Sequence, residues 1–486
     1  MAERVSFRVL LAEETDGAIN EARKTLKAET VEATGERASE AEDARGRRSQ
    51  ATSVVALFDW SQLIEDYLDN IGVTLEAFCR EMSGGWMFGY LDALRAARLR
   101  PLLFCVSARV EKTTRFEHAA TGATICVLPA PRVYRALRRL VLNPYASTVE
   151  EASGNVRGLR RALCFVLKEL APYLSTPPLK LARELKRERA AALVCQDYEH
   201  GRFDVCRLVT SLLGLPLFAS FQGGDHSRGL LERLVRRFSL NACDGLIIAT
   251  RREVERVRRR YHLPASKMTR IFNPLDLSDW RAVNREQARA ALGIPQEARV
   301  AVWHGRVQVR RKGLDVLLDA WERVSLEREG RDLRLLLVGT GNDRDDLRRR
   351  IDGLEARNVF WVDEYVCDHS RLRNYLSAAD VYAFSSRHEG FAVAPIEAMA
   401  CGLPLVASDA PGVSDILEEG EFSGGIVVPT DDAPSLASAL GRLLDDPALS
   451  RTLGQRARLR TANAFSLPAV GSRMRAFFLR RGAVLV

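Results

Sequence analysis

Residues 381–412 read VYAFSSRHEGFAVAPIEAMACGLPLVASDAPG. Val381 to Phe384 has the length and composition of a buried strand. Ser385 to Ala392 is polar and contains Gly390, so it reads as a loop. Pro395 suits the first position of a helix, where its missing N–H costs nothing. Gly402 and Pro404 stop that helix after about two turns, and Leu405-Val406-Ala407 resumes a strand. Strand, loop, helix and strand in that order is the repeating unit of a parallel α/β sheet. Two carboxylates mark the unit. Glu389 lies in the loop, and Glu397 lies in the first helical turn, at the positive end of the helix dipole. Carboxylates accept from hydroxyls and free amides at a helix start take phosphates, so this place suits a ligand bearing both. Each Glu taken alone also has an ordinary reading, as a capping partner or a turn residue.

The same alternation extends on both sides. Thr52 to Phe58, Leu102 to Val106, Ala192 to Cys195, Leu217 to Phe221 and Gly245 to Ala249 are strand-like, with basic amphipathic helical segments between them. A second series follows Asn273-Pro274-Leu275-Asp276, with strands at Val300 to Trp303, Leu335 to Val338, Val359 to Val362, Val381 to Phe384 and Leu405 to Ala407. Gly305-Arg306 follows the first of these. Arg310-Arg311-Lys312-Gly313 precedes a helix carrying Leu314, Leu317, Leu318 and Trp321 on one face. Cations at a helix start oppose its dipole by some tenths of a kcal/mol each, a sign that a bound polyanion would reverse. Asp343-Arg344-Asp345 opens another helix, where N-capping explains it better than metal binding.

The run E-G-F-x5-E-A-M-A-C-G-L-P-L-V-A-S from Glu389 resembles the donor-site signature of retaining glycosyltransferases of family 4 (group 1), which have the GT-B fold. The resemblance implies an α/β protein with two Rossmann-like domains facing across a cleft and a C-terminal helix crossing back to the first domain. It covers about residues 200–470 well and residues 52–200 less well. On that reading residues 1–50 are a polar segment expected to be disordered. Residues 51–275 are the acceptor domain, completed by 465–486, and residues 280–464 are the nucleotide-sugar domain. The family's roles carry over residue by residue. Glu389 would lie beside the donor sugar and Glu397 on the ribose, with Gly390, Phe391 and Ala392 along the donor. Arg306 and Lys312 would bind the diphosphate, with Arg311 a rival for Lys312 because the loop is one residue longer than is common. Gly339 and Gly341 form a turn near the nucleotide, and Tyr365 lies in the loop that meets the base. Gly84 and Gly85 resemble the family's glycine loop, although an insertion near 60–83 separates them from the first strand. Asp225 and His226 compete for a place against the donor sugar. No metal and no cofactor is expected beyond the nucleotide-diphosphate sugar itself.

The implied reaction is transfer of a hexosyl group, with retention, to a glycan, lipid or small-molecule acceptor, in the manner of cell-surface polysaccharide or glycoconjugate synthesis. A GT-B epimerase or phosphorylase would use the same cleft. A catalytically silent nucleotide-sugar-binding scaffold would not need Arg306, Lys312, Glu389 and Glu397 together.

Composition narrows the setting. The chain has 486 residues, 47% of them hydrophobic, which is enough for two or three domains. It contains no stretch long and apolar enough to span a membrane, and the opening MAERVSFRVLLAEETDG does not read as a secretory signal. Nine cysteines without a C-x-x-C pattern fit a reducing cytoplasm. The net charge is +9; the segments 131–190 and 228–260 carry +8 and +6, so the rest of the chain carries −5. That basic first half points to an anionic acceptor or peripheral association with the inner membrane face. Nucleic acid is disfavoured because the basic segments lack interleaved aromatics.

Overall fold

A computed structural model describes residues 52–82, 85–140, 154, 157–221, 229–355, 358–366 and 368–485. Every described element falls in the compact unit Ser53–Leu485. Gly84, Asp225 and His226, three of the candidate site residues, lie outside the described residues, as do residues 1–51.

Strands β1 (Val54–Phe58), β2 (Arg100–Ser107), β3 (Thr114–Glu117), β4 (Thr124–Pro129), β5 (Ala190–Gln196), β6 (Leu217–Phe221), β7 (Gly245–Ile248) and β8 (Met268–Arg270) build one sheet. Their order is β3-β4-β2-β1-β5-β6-β7-β8, and only β3 runs antiparallel to its neighbour. Strands β9 (Arg299–His304), β10 (Leu333–Val338), β11 (Val359–Val362), β12 (Val381–Phe384), β13 (Leu405–Ser408) and β14 (Gly425–Val428) build a second, wholly parallel sheet in the order β11-β10-β9-β12-β13-β14. These are the two doubly wound halves that the resemblance implies.

Both sheets are covered on both faces. In β1, Val54, Ala56 and Phe58 face one core while Val55 and Leu57 face another. In β9, Ala301 and Trp303 face one core while Val300 and Val302 face the other. Burial on both sides is why these strands read as continuous apolar runs. The insertion near 60–83 holds two helices, Ile64–Ile71 and Leu75–Arg80, whose Ile64, Leu68 and Phe78 join the first sheet's core.

The chain crosses between halves twice, and three rings meet where it does. Phe272 of the first crossing stacks on Phe391 at 5.3 Å and 15°. Phe465, which opens the return crossing, lies 5.0 Å from Phe272 and 6.1 Å from Phe391. The Leu275 N–H donates to the Phe465 carbonyl at 2.7 Å, tying the two crossings together. The final helix, Leu467–Arg480, then returns to the first sheet and sets Phe477 and Phe478 against Phe218. Phe391 and Ala392, expected along the donor, have their side chains buried in the hinge core, where an aromatic ring gains most from packing.

Beside the hinge, a cavity of about 570 Å³ opens between the helix Gly85–Ala96, the linker and the signature helix. Asp92, Arg95, Asp276, Asp279, His369 and Glu397 line it. Burial pushes the Asp92 carboxyl up to about 6; Arg95 opposes the shift, and the carboxylates of Asp276 and Asp279 add to it.

Two outcomes follow from this frame. Phe391→Ala removes the ring shared by both crossings and is expected to cost about 3–5 kcal/mol of stability, read as a lowered Tm. An unchanged Tm would remove Phe391 from the hinge core. The folded Asp92 pKa is raised from 3.8 to about 6, so its contribution is fully present below about pH 4 and is lost as pH rises through 6. Asp92→Asn is therefore expected to raise Tm above pH 6 and leave it unchanged below pH 4. A gain confined to acid would contradict this.

Candidate functional site

In a doubly wound sheet, the crevice lies where the strand order reverses, outside the carboxyl ends of the two central strands. Here those strands are β9 and β12. β9 ends on His304 and is followed by Gly305-Arg306; β12 ends on Phe384 and is followed by Ser385 to Glu389. Motifs far apart in the sequence thus fall at one place: both strands deliver their loops into the same gap.

One ion pair and one histidine–carboxylate contact occupy that gap. Lys312 Nζ lies 2.6 Å from Glu389 Oε1, with the Lys side chain 19% and the Glu side chain 8% exposed. The Ser386 hydroxyl donates to the same Glu389 oxygen at 2.7 Å. His304 Nε2 lies 2.8 Å from Glu397 Oε2. The Tyr382 hydroxyl donates to the His304 carbonyl at 3.2 Å, and its ring meets the imidazole edge to face. His304 Nδ1 is buried and has no hydrogen-bond partner. A buried nitrogen left so costs free energy unless something fills its valence.

The loop after β9 forms a single turn of helix, Val309–Lys312, that ends on Gly313 with φ 62°. A Cβ on Gly313 would strike the Ser385 carbonyl, so the close approach of the two loops requires glycine there. Ser385 Oγ donates to the Lys312 carbonyl at 3.0 Å, and Arg387 N donates to the Arg311 carbonyl at 2.9 Å. Arg387 also grips both oxygens of Asp315, at 2.7 and 2.9 Å. These bonds aim Lys312 inward at Glu389. Arg311 stays exposed, with its Nε 3.5 Å from the His388 carbonyl. Of the two rivals, Lys312 is the one that pairs with Glu389.

The other predicted residues spread around this centre. Arg306 is exposed and forms no ion pair among the described residues. The Tyr67 phenol of the insertion helix feels its charge and that of Tyr365, while burial raises the Tyr67 pKa above its usual value. Gly339 packs so tightly under the β9 loop that a Cβ would strike the Gly305 carbonyl; Gly341 stands against Val307. Tyr365 is 80% exposed on the loop after β11. Gly390 lies beside Gly412. Gly85 is the first residue of the helix Gly85–Ala96.

Glu397 sits in the first turn of the helix Ala394–Ala400, as its sequence suggests, and no side chain caps that helix at Val393. Asp343 departs from expectation. It precedes the helix Arg344–Asp352 without capping it, and its carboxylate accepts instead from Val309 N at 2.9 Å. It thereby anchors the Arg306–Lys312 loop. Sequence reading passed over His304. Its one signal is a polar residue ending a buried apolar strand directly before Gly305-Arg306. Among the described residues, no group of three His, Cys, Asp or Glu side chains is placed to hold a metal ion.

Comparison with known proteins bears on both halves. Residues 118–279 match a model described as Glycosyltransferase Family 4, and residues 298–446 match one described as Glycosyl transferases group 1. The chain is 27% identical over 290 residues to the alpha-D-kanosaminyltransferase of Streptomyces kanamyceticus, covering 57% of this chain and 73% of that one. It is 32% identical over 235 residues to the D-inositol 3-phosphate glycosyltransferase of Kineococcus radiotolerans, covering 46% of this chain and only 54% of the relative. Among solved structures, sucrose-phosphate synthase from Thermosynechococcus elongatus superposes with a TM-score of 0.57 at 21% identity, over 88% of this chain and 98% of that one. Anabaena HepE in complex with UDP superposes with a TM-score of 0.60 at 15% identity, over 88% and 100%. With matching models in both halves and the GT-B arrangement of its two sheets, the chain belongs to the group 1, family 4 glycosyltransferases.

Proposed function

We propose that the protein transfers a sugar from a nucleotide-diphosphate donor to a hydroxyl acceptor, with retention at the anomeric carbon. The observation that carries this reading is the pairing of Lys312 with Glu389 beside His304 and Glu397 in the β9/β12 crevice. One cation and one carboxylate would serve the reacting end of the donor, and the second carboxylate would serve its ribose. UDP is the first donor base to test, because HepE was solved with UDP in the same fold.

Each residue has a step in this account. Arg306 and Lys312 stabilise the charge that develops on the departing diphosphate. Arg306, exposed at the crevice mouth, is free to make a bidentate contact; Lys312 acts as a compact charge. Glu389 orients the sugar hydroxyls and faces the oxocarbenium-like centre. Glu397 accepts from the ribose hydroxyls while His304 fixes its carboxylate. Retention fits front-face attack, in which the leaving phosphate takes the acceptor's proton and no separate base is needed. Closure of the two halves excludes water. The acceptor, a glycan, lipid-linked sugar or small polyol, meets the donor from the first half, where the Trp60–Tyr67 ring pair faces the Arg306 side.

The two carboxylates should separate kinetically. With a panel of UDP-, GDP- and ADP-sugars, Glu389→Gln is expected to lower kcat about 10²–10³-fold while circular dichroism shows a folded chain. Glu397→Ala is expected to act mainly through a higher donor KM. Wild-type-like turnover by Glu389→Gln would sink the assignment. Absence of calorimetric binding of UDP, GDP and ADP at millimolar levels would favour the scaffold reading.

A further inference from the structure

Three helices of the first half form one clamped layer: Leu159–Leu174, Gly201–Leu213 and Leu230–Ala242. Asp204 of the middle helix accepts from the Tyr173 hydroxyl at 3.0 Å and from Arg236 at 2.8 Å, joining it to both neighbours. Glu169 Oε2 accepts from Leu231 N at 3.2 Å, and Glu232 Oε1 accepts from Gly201 N at 2.8 Å. These three are the only acidic residues of the three helices. All of them are spent in bonds between the helices, so the outward surface is left with apolar and cationic side chains.

Two of the three helices carry exposed apolar stripes. On the first helix Leu159, Leu163, Val166 and Leu170 recur at i, i+4, i+7 and i+11, and all four are exposed, Leu159 at 88%. On the third, Leu230, Leu234 and Phe238 recur at i, i+4 and i+8, with Leu234 71% and Phe238 74% exposed. Apolar stripes of this period are normally turned to a core. Exposed Arg160, Arg161, Arg233 and Arg237 stand beside them. Leucine and phenylalanine stripes bordered by cations, with the acids withdrawn, match the chemistry of an anionic lipid surface. The rings and methyls enter the acyl boundary while the guanidinium groups stay among the headgroup phosphates. No helix among the described residues is long and apolar enough to cross a membrane, so the contact would be peripheral.

We propose that this helical layer docks the protein on an anionic membrane leaflet. The surface belongs to the first half and uses none of the crevice residues, so it stands independently of the reaction proposed above. A hydrophobic seam without charge selection would suit a second copy of the chain; four arginines facing outward make self-pairing of this face electrostatically costly.

The test is co-sedimentation of the full chain with vesicles of equal parts phosphatidylglycerol and phosphatidylcholine, and with phosphatidylcholine alone, beside analytical ultracentrifugation. The wild type is expected to bind the mixed vesicles and not the neutral ones, with binding falling as salt rises. Leu163→Glu combined with Phe238→Glu is expected to cut the bound fraction at least tenfold, and Arg160→Glu with Arg237→Glu to do the same. The circular dichroism spectrum should be unchanged in both, which shows that they remain folded. Equal binding to neutral vesicles, no binding to the mixed ones, or wild-type binding by either double variant would overturn the proposal. So would a dimer that Leu163→Glu dissociates without any vesicle binding.

Discussion

A 2.6 Å ion pair between Lys312 and Glu389 joins the two loops on which the second half depends. It forms where the strand order turns back on itself, so the chain leaves β9 and β12 in opposite directions and a gap remains between them. Closing that gap with apolar side chains would give a core. Closing it with a paired lysine and glutamate gives a site. Removing one member of a buried pair strands the other charge, at about 3–5 kcal/mol, and here a diphosphate and a sugar could each satisfy one member in turn. Ser386, the Lys312 carbonyl and the Asp315–Arg387 clamp hold the pair in place. Asp343, from the loop after β10, steadies its lysine side.

The hinge supplies the second constraint. Phe391 follows Glu389 by two residues, and its ring is locked against Phe272 and Phe465. The loop that carries Glu389 is therefore built into the same packing that joins the halves. Thr250-Arg251 of the first half meets the second at Asp415, which accepts from Arg251 N and from Arg270. Gly412, next to this contact, lies against the Gly390 carbonyl. Movement of one half against the other would be felt at Glu389 through both routes. The hinge cavity shares Glu397 with the crevice, so that residue stands between the His304 contact and the linker.

Much of this was legible in the residues. β6 and β12 occupy the positions that their apolar runs suggest, because strands buried on both faces have no polar interruptions to blur them; β11 does so too, although it is a part-exposed edge strand. β3 escaped notice since TRFE is a half-exposed antiparallel edge with no apolar run, and β14 since it is a short edge strand starting at a glycine. Glu389 and Glu397 are marked by their own run of sequence, whereas Lys312 was marked by the family resemblance, with Arg311 as a rival; the structure pairs Lys312 with Glu389 across 77 residues. His304 could not be so marked, since its role comes from β9 lying beside β12, a neighbour 78 residues away in the chain through Tyr382. The packing of Phe391 was hidden for the related reason that its partners, Phe272 and Phe465, are distant in sequence. The acid-free outer face of the three helices was likewise invisible as composition. The basic excess showed, but not that Glu169, Asp204 and Glu232 are turned inward.

The central claim is that the β9/β12 crevice holds the nucleotide diphosphate. A crystal structure of the protein soaked with UDP tests it most directly. The account predicts phosphate oxygens within hydrogen-bond reach of Arg306 and Lys312 and ribose hydroxyls on Glu397. UDP density elsewhere, for instance in the hinge cavity between Asp92 and Asp279 with the Lys312–Glu389 pair undisturbed, would contradict it.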